Sequence, residues 1–449
     1  MKIQIPSGAN YIIKTLMAHG YEAYVVGGCV RDSILHKTPQ DWDITTSATP
    51  EQTKALFPRT IDTGIEHGTV TVMIQREGYE VTTYRVDGKY EDHRRPKEVT
   101  FTASLLEDLK RRDFTINAMA YNPEEGLVDA FCGAEDLEKG IIRCVGIPQE
   151  RFDEDALRIL RAVRFAAQLN FVIDEETQAA IREKALFLRE ISAERIQVEL
   201  TKLITSEHPE KLIDAYELGI TAVVLPEFDT MMQTPQNNRY HCYDVGHHTI
   251  EVMKHIEPQP VLRWAALLHD VAKPMCKTTD EAGIDHFYGH PKAGRPIAHQ
   301  ILRRMKLDND TIHRVERLVE WHDYGLDGNV TRKSLRRALH DMGPDLYEDY
   351  LKLRWADIMG QSKYGFEKKQ TDYQHMKELY QEIQAQGECL TAKELKIDGR
   401  RLMQLGIQPG PVMGELLKAL LERVLEEPEL NEPEILSELA LELYKKKKE

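Results

Sequence analysis

The sequence predicts a multidomain α+β chain: a head built on a mixed sheet with helices, followed by an all-helical remainder. Three observations carry this. At 449 residues the chain exceeds what one hydrophobic core serves. Up to about residue 131, apolar and β-branched runs of strand length alternate with glycine turns and short helix starts. From Asp153 onward the apolar positions recur at helical spacing. The expected divisions are 1–146 for the head, 147–225 for a helical neck, 226–365 for a helical body and 366–449 for a helical tail.

Composition narrows the function classes. A hydrophobic share of 41% is enough for globular cores, and no apolar run approaches the length of a membrane span. The first residues carry no signal-peptide core. Cys29, Cys132, Cys144, Cys242, Cys276 and Cys389 are scattered without a Cys-x-x-Cys pair. They read as free buried thiols of a reducing cytosol, not as a disulfide framework or a zinc site. The net charge of −15 argues against a general nucleic-acid binder, and neither DNA nor a membrane is an expected partner. Cations nevertheless cluster at Arg94-Arg95-Pro96-Lys97, Lys110-Arg111-Arg112, Arg158 to Arg164 and Arg400-Arg401. Basic strips on an acidic protein suit one RNA while rejecting polyanions at large.

In the head, residues 22–26 form an apolar run of strand character ending in Gly27-Gly28. The glycines let the backbone approach a bulky anion, and a short helix over 30–35 points free N–H groups back at the turn, which suits a phosphate. Asp41-Trp42-Asp43-Ile44-Thr45 reads as a strand. Asp41 and Asp43 then share a face, roughly 6–7 Å apart. Two carboxylates so placed repel unless a cation lies between them, and hard divalent ions such as Mg²⁺ bring a nucleoside triphosphate with them. Thr49-Pro50-Glu51-Gln52 is a helix start with Thr as N-cap, running to about residue 57. Strands are expected at 68–74 and 79–85 with Gly78 in the turn. Alternation there puts Glu80, Thr82 and Tyr84 on one face, making Glu80 a candidate third carboxylate or an edge residue facing water. Residues 86–104 show little periodicity and read as a mobile basic loop. In Arg111-Arg112-Asp113-Phe114-Thr115-Ile116-Asn117, the arginines suit phosphates and Asp113 suits ribose hydroxyls.

Gly27-Gly28-x-x-Arg31-Asp32 followed by Asp41-x-Asp43 resembles the head of the class II tRNA nucleotidyltransferase and poly(A) polymerase family, within the DNA polymerase β-like superfamily. The string from Arg111 to Ala120, including Asn117, is its most specific match, and Val128-Asp129-Ala130-Phe131 resembles the last head strand. Tyr90-x-Asp92-x-Arg94-Arg95-Pro96 resembles the flexible-loop motif, whose presence implies an enzyme able to add A.

In the neck, Asp153 is expected to cap one helix carrying Leu157, Leu160 and Val163 on an apolar stripe, with Asp155 and Arg158 as surface neighbours. A row of charges is ordinarily a solvated face. Glu154-Asp155-x-x-Arg158 resembles the family's nucleobase-selecting motif, which implies that Asp155 and Arg158 choose the base and that Arg161 and Arg164 stabilise the helix and face phosphates. Asp174 and Ser192 are expected to cap two further helices.

The body carries a second constellation. His241 to Thr249, His269-Asp270 after an apolar helix over 261–268, Gly289-His290, Glu320-Trp321-His322 and Trp355-Ala356-Asp357 together resemble the HD phosphohydrolase superfamily. The resemblance implies a divalent transition metal held by His248, His269, Asp270 and Asp357, with His290 and His322 matching the extra ligands of two-metal relatives, and Lys273 offsetting phosphate charge. His247 competes with His248, and Asp323 with Asp357. In the tail, a helix over 368–386 is followed by Gly399, Gly406 and Pro409-Gly410-Pro411 before a helix over 412–425, an arrangement that resembles the family's tRNA-elbow contact. The run from Lys445 to Lys448 reads as a solvated tip.

The implied activity is template-independent addition of CCA to tRNA 3′ ends from CTP and ATP with release of pyrophosphate, in the cytoplasm and with Mg²⁺ in the head. The rivals are an enzyme adding A alone, a poly(A) polymerase, a phosphohydrolase with an RNA-binding head, and a noncatalytic RNA-binding protein.

Overall fold

The computed structural model describes residues 2–88, 90–91, 95–96 and 99–446. Two compact units are present, Met1–Asp229 with Arg304–Lys306, and Thr230–Arg303 with Leu307–Glu449.

The first unit is built on a seven-stranded sheet. Its strands lie side by side in the order Gly126–Val128, Ala120–Asn122, Ala23–Val26, Ile44–Thr46, Glu77–Thr83, Thr69–Ile74 and Thr60–Gly64. All neighbours are antiparallel except Ile44–Thr46 against Glu77–Thr83, where Ile44 faces Val81 in parallel register. The sheet is therefore mixed, as expected. Every residue of Ala23–Val26 is buried because the strand is covered on both faces. Tyr24 and Val26 join Tyr84, Leu109 and Ala120 in one cluster, while the buried Ile12, Ile13 and Leu16 belong to the helix Ser7–Ala18, which packs on the same strand.

Local signals placed several elements closely. Thr49 accepts a hydrogen bond from Gln52 N–H while the Gln52 side chain accepts from Thr49 N–H, a complete capping box on the helix Pro50–Leu56. Asp174 caps Glu175–Lys184 by accepting from Thr177 N–H. Ser192 precedes Ala193–Ile204 without a side-chain cap bond.

Other elements differ from expectation. The strand expected from Asp41 begins only at Ile44: Asp41 and Asp43 line the cleft, the Asp43 carbonyl still accepts from Val26 N–H, and Ile44, Thr45 and Thr46 are buried. The hairpin turn falls at Gln75 and Arg76, with Gln75 at φ +56°, and Gly78 lies inside the strand opposite Met73. Tyr84 enters the core cluster beside Tyr24 and Val26, on the face that Tyr24, Thr45 and Thr82 share by register. The segment 86–104 is not featureless: Arg85–Asp87 pairs antiparallel with Val99–Phe101, and Tyr90–Glu91 with Arg95–Pro96. Asp92, Arg94 and Lys97 lie outside the described residues, as do Lys447 and Lys448.

The neck departs most. Instead of one helix capped by Asp153, there are two, Pro148–Glu154 and Leu157–Leu169, separated at Asp155, whose φ of −141° and ψ of 101° are extended. Leu157, Leu160 and Val163 are buried as the stripe predicts, but so are Ile159, Ala162 and Ala166, because the helix is packed on more than one side. The second unit is helical apart from a small ribbon, Thr278–Thr279 against Asp285–His286. Val245–Lys254, Pro260–Leu268, Asn309–Trp321 and Tyr347–Gly360 pack together around Trp264, Tyr347 and Tyr350. Phe366–Gln386, Gly399–Gln404, Pro411–Glu426 and Pro433–Lys446 follow.

Candidate functional site

The head site begins at Gly27. Its φ of +79° lies in the left-handed region, and a Cβ there would sit 3.0 Å from Arg112 Nη1. Its carbonyl accepts from Val30 and Arg31 N–H, which starts the helix Gly28–Ile34. The adjoining cleft, about 690 Å³, is lined by Gly28, Arg31, Asp41, Asp43, Arg164 and Lys202 among others. Because Ile44 pairs with Val81, the preceding Glu80 lies beside Asp43. The surrounding protein, then the Glu80 and Asp41 charges, push the Asp43 carboxyl above its ordinary pKa, against the pull of Arg112. Carboxylates gathered this closely fit a divalent cation.

A continuous network organises the cations. Arg31 donates to Asn117 Oδ1 at 2.8 Å, and Asn117 Nδ2 donates to Asp113 Oδ1 at 3.1 Å. Asp113 Oδ2 accepts from Arg161 Nε and Nη2 at 2.9 and 2.6 Å, and Oδ1 also accepts from Phe114 N–H. Burial alone would raise Asp113, but Arg161 and Asn117 hold it well below the carboxylate range. Its four acceptor positions are all filled from within the chain, so here the side chain that sequence reading offered to a ribose organises Arg161. Glu199 then binds Arg164 at 2.8 Å and Arg161 at 3.6 Å. Arg31, Arg161 and Arg164 all lie over the Phe165 ring.

Arg111 and Arg112 both bind Asp108. This fully buried carboxylate accepts from Arg111 Nη2 at 2.8 Å and Arg112 Nη2 at 3.5 Å, and also from Thr45 Oγ1 at 3.1 Å. Sequence reading missed Asp108, although its spacing of three and four from the arginines is a helical signal. It also missed Glu199, which no local pattern marks. Arg158 donates to Glu154 at 2.6 Å and to the Arg111 carbonyl at 2.8 Å. Asp155 stands in the break between helices, not one turn from Arg158 on a shared helix face.

In the second unit the six residues expected to bind metal come together. His248, His269 and Asp357 form one buried group of donor atoms; Asp270, His290 and His322 form another. His248 Nε2 lies 3.1 Å from Asp357 Oδ1, His269 Nε2 3.2 Å from Asp270 Oδ2, and His290 Nε2 3.2 Å from Asp270 Oδ1. Asp270 thus spans both groups. Each of the four imidazoles directs Nδ1 at a backbone carbonyl, of Gly360, Ala266, Phe287 and Val319 respectively. A carbonyl only accepts, so Nδ1 carries the proton and Nε2 offers its lone pair inward. The Nε2 atoms of His290 and His322 are 3.1 Å apart, and those of His248 and His269 3.4 Å. Lone pairs facing at such distances call for a proton or a cation, so the donor set fits metal. Burial opposes charge on His269 and His290, but Asp270 raises both. Lys273 donates to Asp270 at 2.6 Å. His248 is inside this centre while His247 is solvent-facing and bonded to Asp244, and Asp323 sits at the rim, 3.4 Å from His290. The centre opens on a cavity of about 990 Å³ walled in part by Lys273, Phe287, Tyr288 and Tyr364.

The sheet, the glycine turn and the acidic cleft define a nucleotidyltransferase. The family profile described as "Poly A polymerase head domain" matches residues 23–143, "Probable RNA and SrmB- binding site of polymerase A" matches 170–232, and "tRNA nucleotidyltransferase domain 2" matches 292–440. The CCA-adding enzyme of Limosilactobacillus reuteri is 37% identical over 99% of this chain and 100% of its own, and that of Levilactobacillus brevis 38% over 91% of each. The crystal structure of the Bacillus stearothermophilus CCA-adding enzyme in complex with CTP is similar with a TM-score of 0.70 and 29% identity over 98% of each chain. The chain belongs to the CCA-adding enzyme family.

Proposed function

We propose that the protein adds C, C and A in turn to the 3′ end of tRNA, consuming CTP and ATP and releasing pyrophosphate. The observation that carries this is the Asp41–Asp43 pair in the cleft at the Gly27-Gly28 turn, in a chain related over its full length to CCA-adding enzymes. That relationship also disfavours addition of A alone and a poly(A) polymerase. Asp41 and Asp43, with Glu80 beside them, are the residues that would hold Mg²⁺. Such ions, when bound, acidify the terminal 3′-OH and offset charge on the leaving pyrophosphate. Gly27 and Gly28 present backbone to the phosphates; Arg31, Arg111 and Arg112 supply positive charge there, with Arg31 oriented by Asn117. Asp113, Arg161 and Arg164 set the wall behind, and Asp155 with Arg158 reads the base. The proposed divisions at 146/147, 225/226 and 365/366 separate head, neck, body and tail, and the tail holds tRNA. The cytoplasm is the proposed compartment; among the described residues no helix is long and apolar enough to cross a membrane. The test is product length on tRNA ending at its discriminator base. CTP alone should extend it by two residues and ATP then by one, with neither step in Asp41→Ala or Asp43→Ala. Addition of A alone, or near-parental addition by either variant, overturns the reading.

A second activity, phosphohydrolysis in an HD-type body, is favoured by the six inward-facing donors. With Mn²⁺ or Ni²⁺ the parent should hydrolyse phosphomonoesters or 2′,3′-cyclic phosphates, and His269→Ala should not. No hydrolysis by the parent with any divalent ion, or equal rates in both, rejects it.

A further inference from the structure

Asp155 lies in a helix break, its N–H on the Arg151 carbonyl and its own carbonyl accepting from Arg158 N–H. Two donors fix its side chain. Leu157 N–H donates to Oδ1 at 3.1 Å, and Arg195 Nη2 donates to Oδ2 at 2.8 Å from the helix Ala193–Ile204. A carboxylate offers about four acceptor positions, so two remain for a ligand. The Arg195 Nη1 nitrogen is buried and has no hydrogen-bond partner among the described residues. A buried guanidinium nitrogen without an acceptor is costly unless something arrives to use it. Arg158, in contrast, already donates to the Arg151 and Arg111 carbonyls and to Glu154.

We propose that Arg195 is the positioning residue for base selection: it holds Asp155 turned so that its free acceptor positions meet the amino group that cytosine carries at C4 and adenine at C6, where uracil and guanine carry a carbonyl. This rests on the reading that Asp155 faces the base. Cytosine and adenine each set an amino donor beside a ring-nitrogen acceptor; uracil and guanine set a carbonyl beside an N–H. An acceptor held in place separates the pairs, and one free to swing away does so less well. Loss of Arg195 therefore acts on the ratio between nucleotides more than on turnover.

The experiment measures kcat/KM for CTP and for UTP on tRNA ending at the discriminator base, in the parent, Asp155→Ala, Arg195→Gln and Arg195→Lys, with thermal melting to confirm folding. Arg195→Gln is expected to lower the CTP-to-UTP ratio about tenfold, the scale of one misplaced hydrogen bond in a recognition site. The KM for tRNA should stay at the parental value, and Arg195→Lys should restore most of the ratio. A structural role alone would depress both nucleotides equally. A parental ratio in Arg195→Gln with a lowered ratio in Asp155→Ala overturns the positioning role alone. A parental ratio in Asp155→Ala overturns the base-reading role and this proposal with it. If Arg195→Gln does not fold, Arg195→Lys and Arg195→Met carry the same comparison, and a parental ratio in both overturns the proposal.

Discussion

Asp108 shows how one side chain can matter without touching substrate. It is wholly buried, and burial by itself would raise its pKa; Arg112 and Arg111 outweigh that and hold it below the ordinary carboxylate value. A depressed folded pKa means stability that is complete above the unfolded value, about 3.9, and is lost as the pH falls through the folded one. Replacing Asp108 by Asn removes the buried carboxylate that two guanidiniums share. Both keep some contact with water, so the expected cost is about 2–3 kcal/mol, less than for a fully buried pair. Urea unfolding followed by Trp42, the one tryptophan of the first unit, should show the lowered midpoint, and the gap from the parent should close below about pH 3.9. A gap that persists unchanged at low pH would mean that Asp108 acts by shape and not by charge. Asp108 was within reach of sequence reading, because three- and four-residue spacings on a helix mark neighbours. Glu199 and Arg195 were not, since their partners lie 35 and 40 residues away.

At the scale of elements, the packing of short pieces sets the cleft. Gly133 begins the helix Gly133–Lys139, and a Cβ on it would lie 2.3 Å from the Thr115 carbonyl. That carbonyl belongs to the turn Thr115–Asn117, which carries the side chain that orients Arg31. Gly133→Ala must push helix and turn apart. The expected loss is about 1–3 kcal/mol, as for other overpacked interiors. Nucleotide addition should slow as well, because Asn117 moves with the turn. Parental melting temperature and rate in Gly133→Ala would show that the turn yields without cost. The helix starts at Pro50 and Glu175 were legible because a cap is a local bargain between a side chain and the next N–H groups. The break at Asp155 was not. Its sequence is compatible with continuous helix, and the extended conformation is held by Leu157 N–H and by Arg195 from another helix.

The whole molecule carries two chemically distinct centres, each in its own compact unit. One offers carboxylate oxygens, suited to a hard ion; the other is imidazole-rich, suited to a transition metal. Their chemistry predicts separability: His269→Ala, proposed to abolish hydrolysis, should add CCA at the parental rate. A joint loss in a folded variant would mean that the centres are coupled. The sequence alone determined the mixed-sheet head, the helical remainder and the glycine turn with its acidic pair, each written in adjacent residues or in a regular period, where local sterics and alternation act. The six donors, spread from His248 to Asp357, were legible only through a family resemblance, and it is the fold that gathers them. Tertiary structure alone decided which of two neighbouring residues is inside, His248 and not His247, because a single step along a helix turns a side chain by about 100°. It also decided that Arg161 takes one oxygen of Asp113 and that Arg195 pins Asp155. Those pairings join segments far apart in the chain, and nothing in either segment encodes the other's distance.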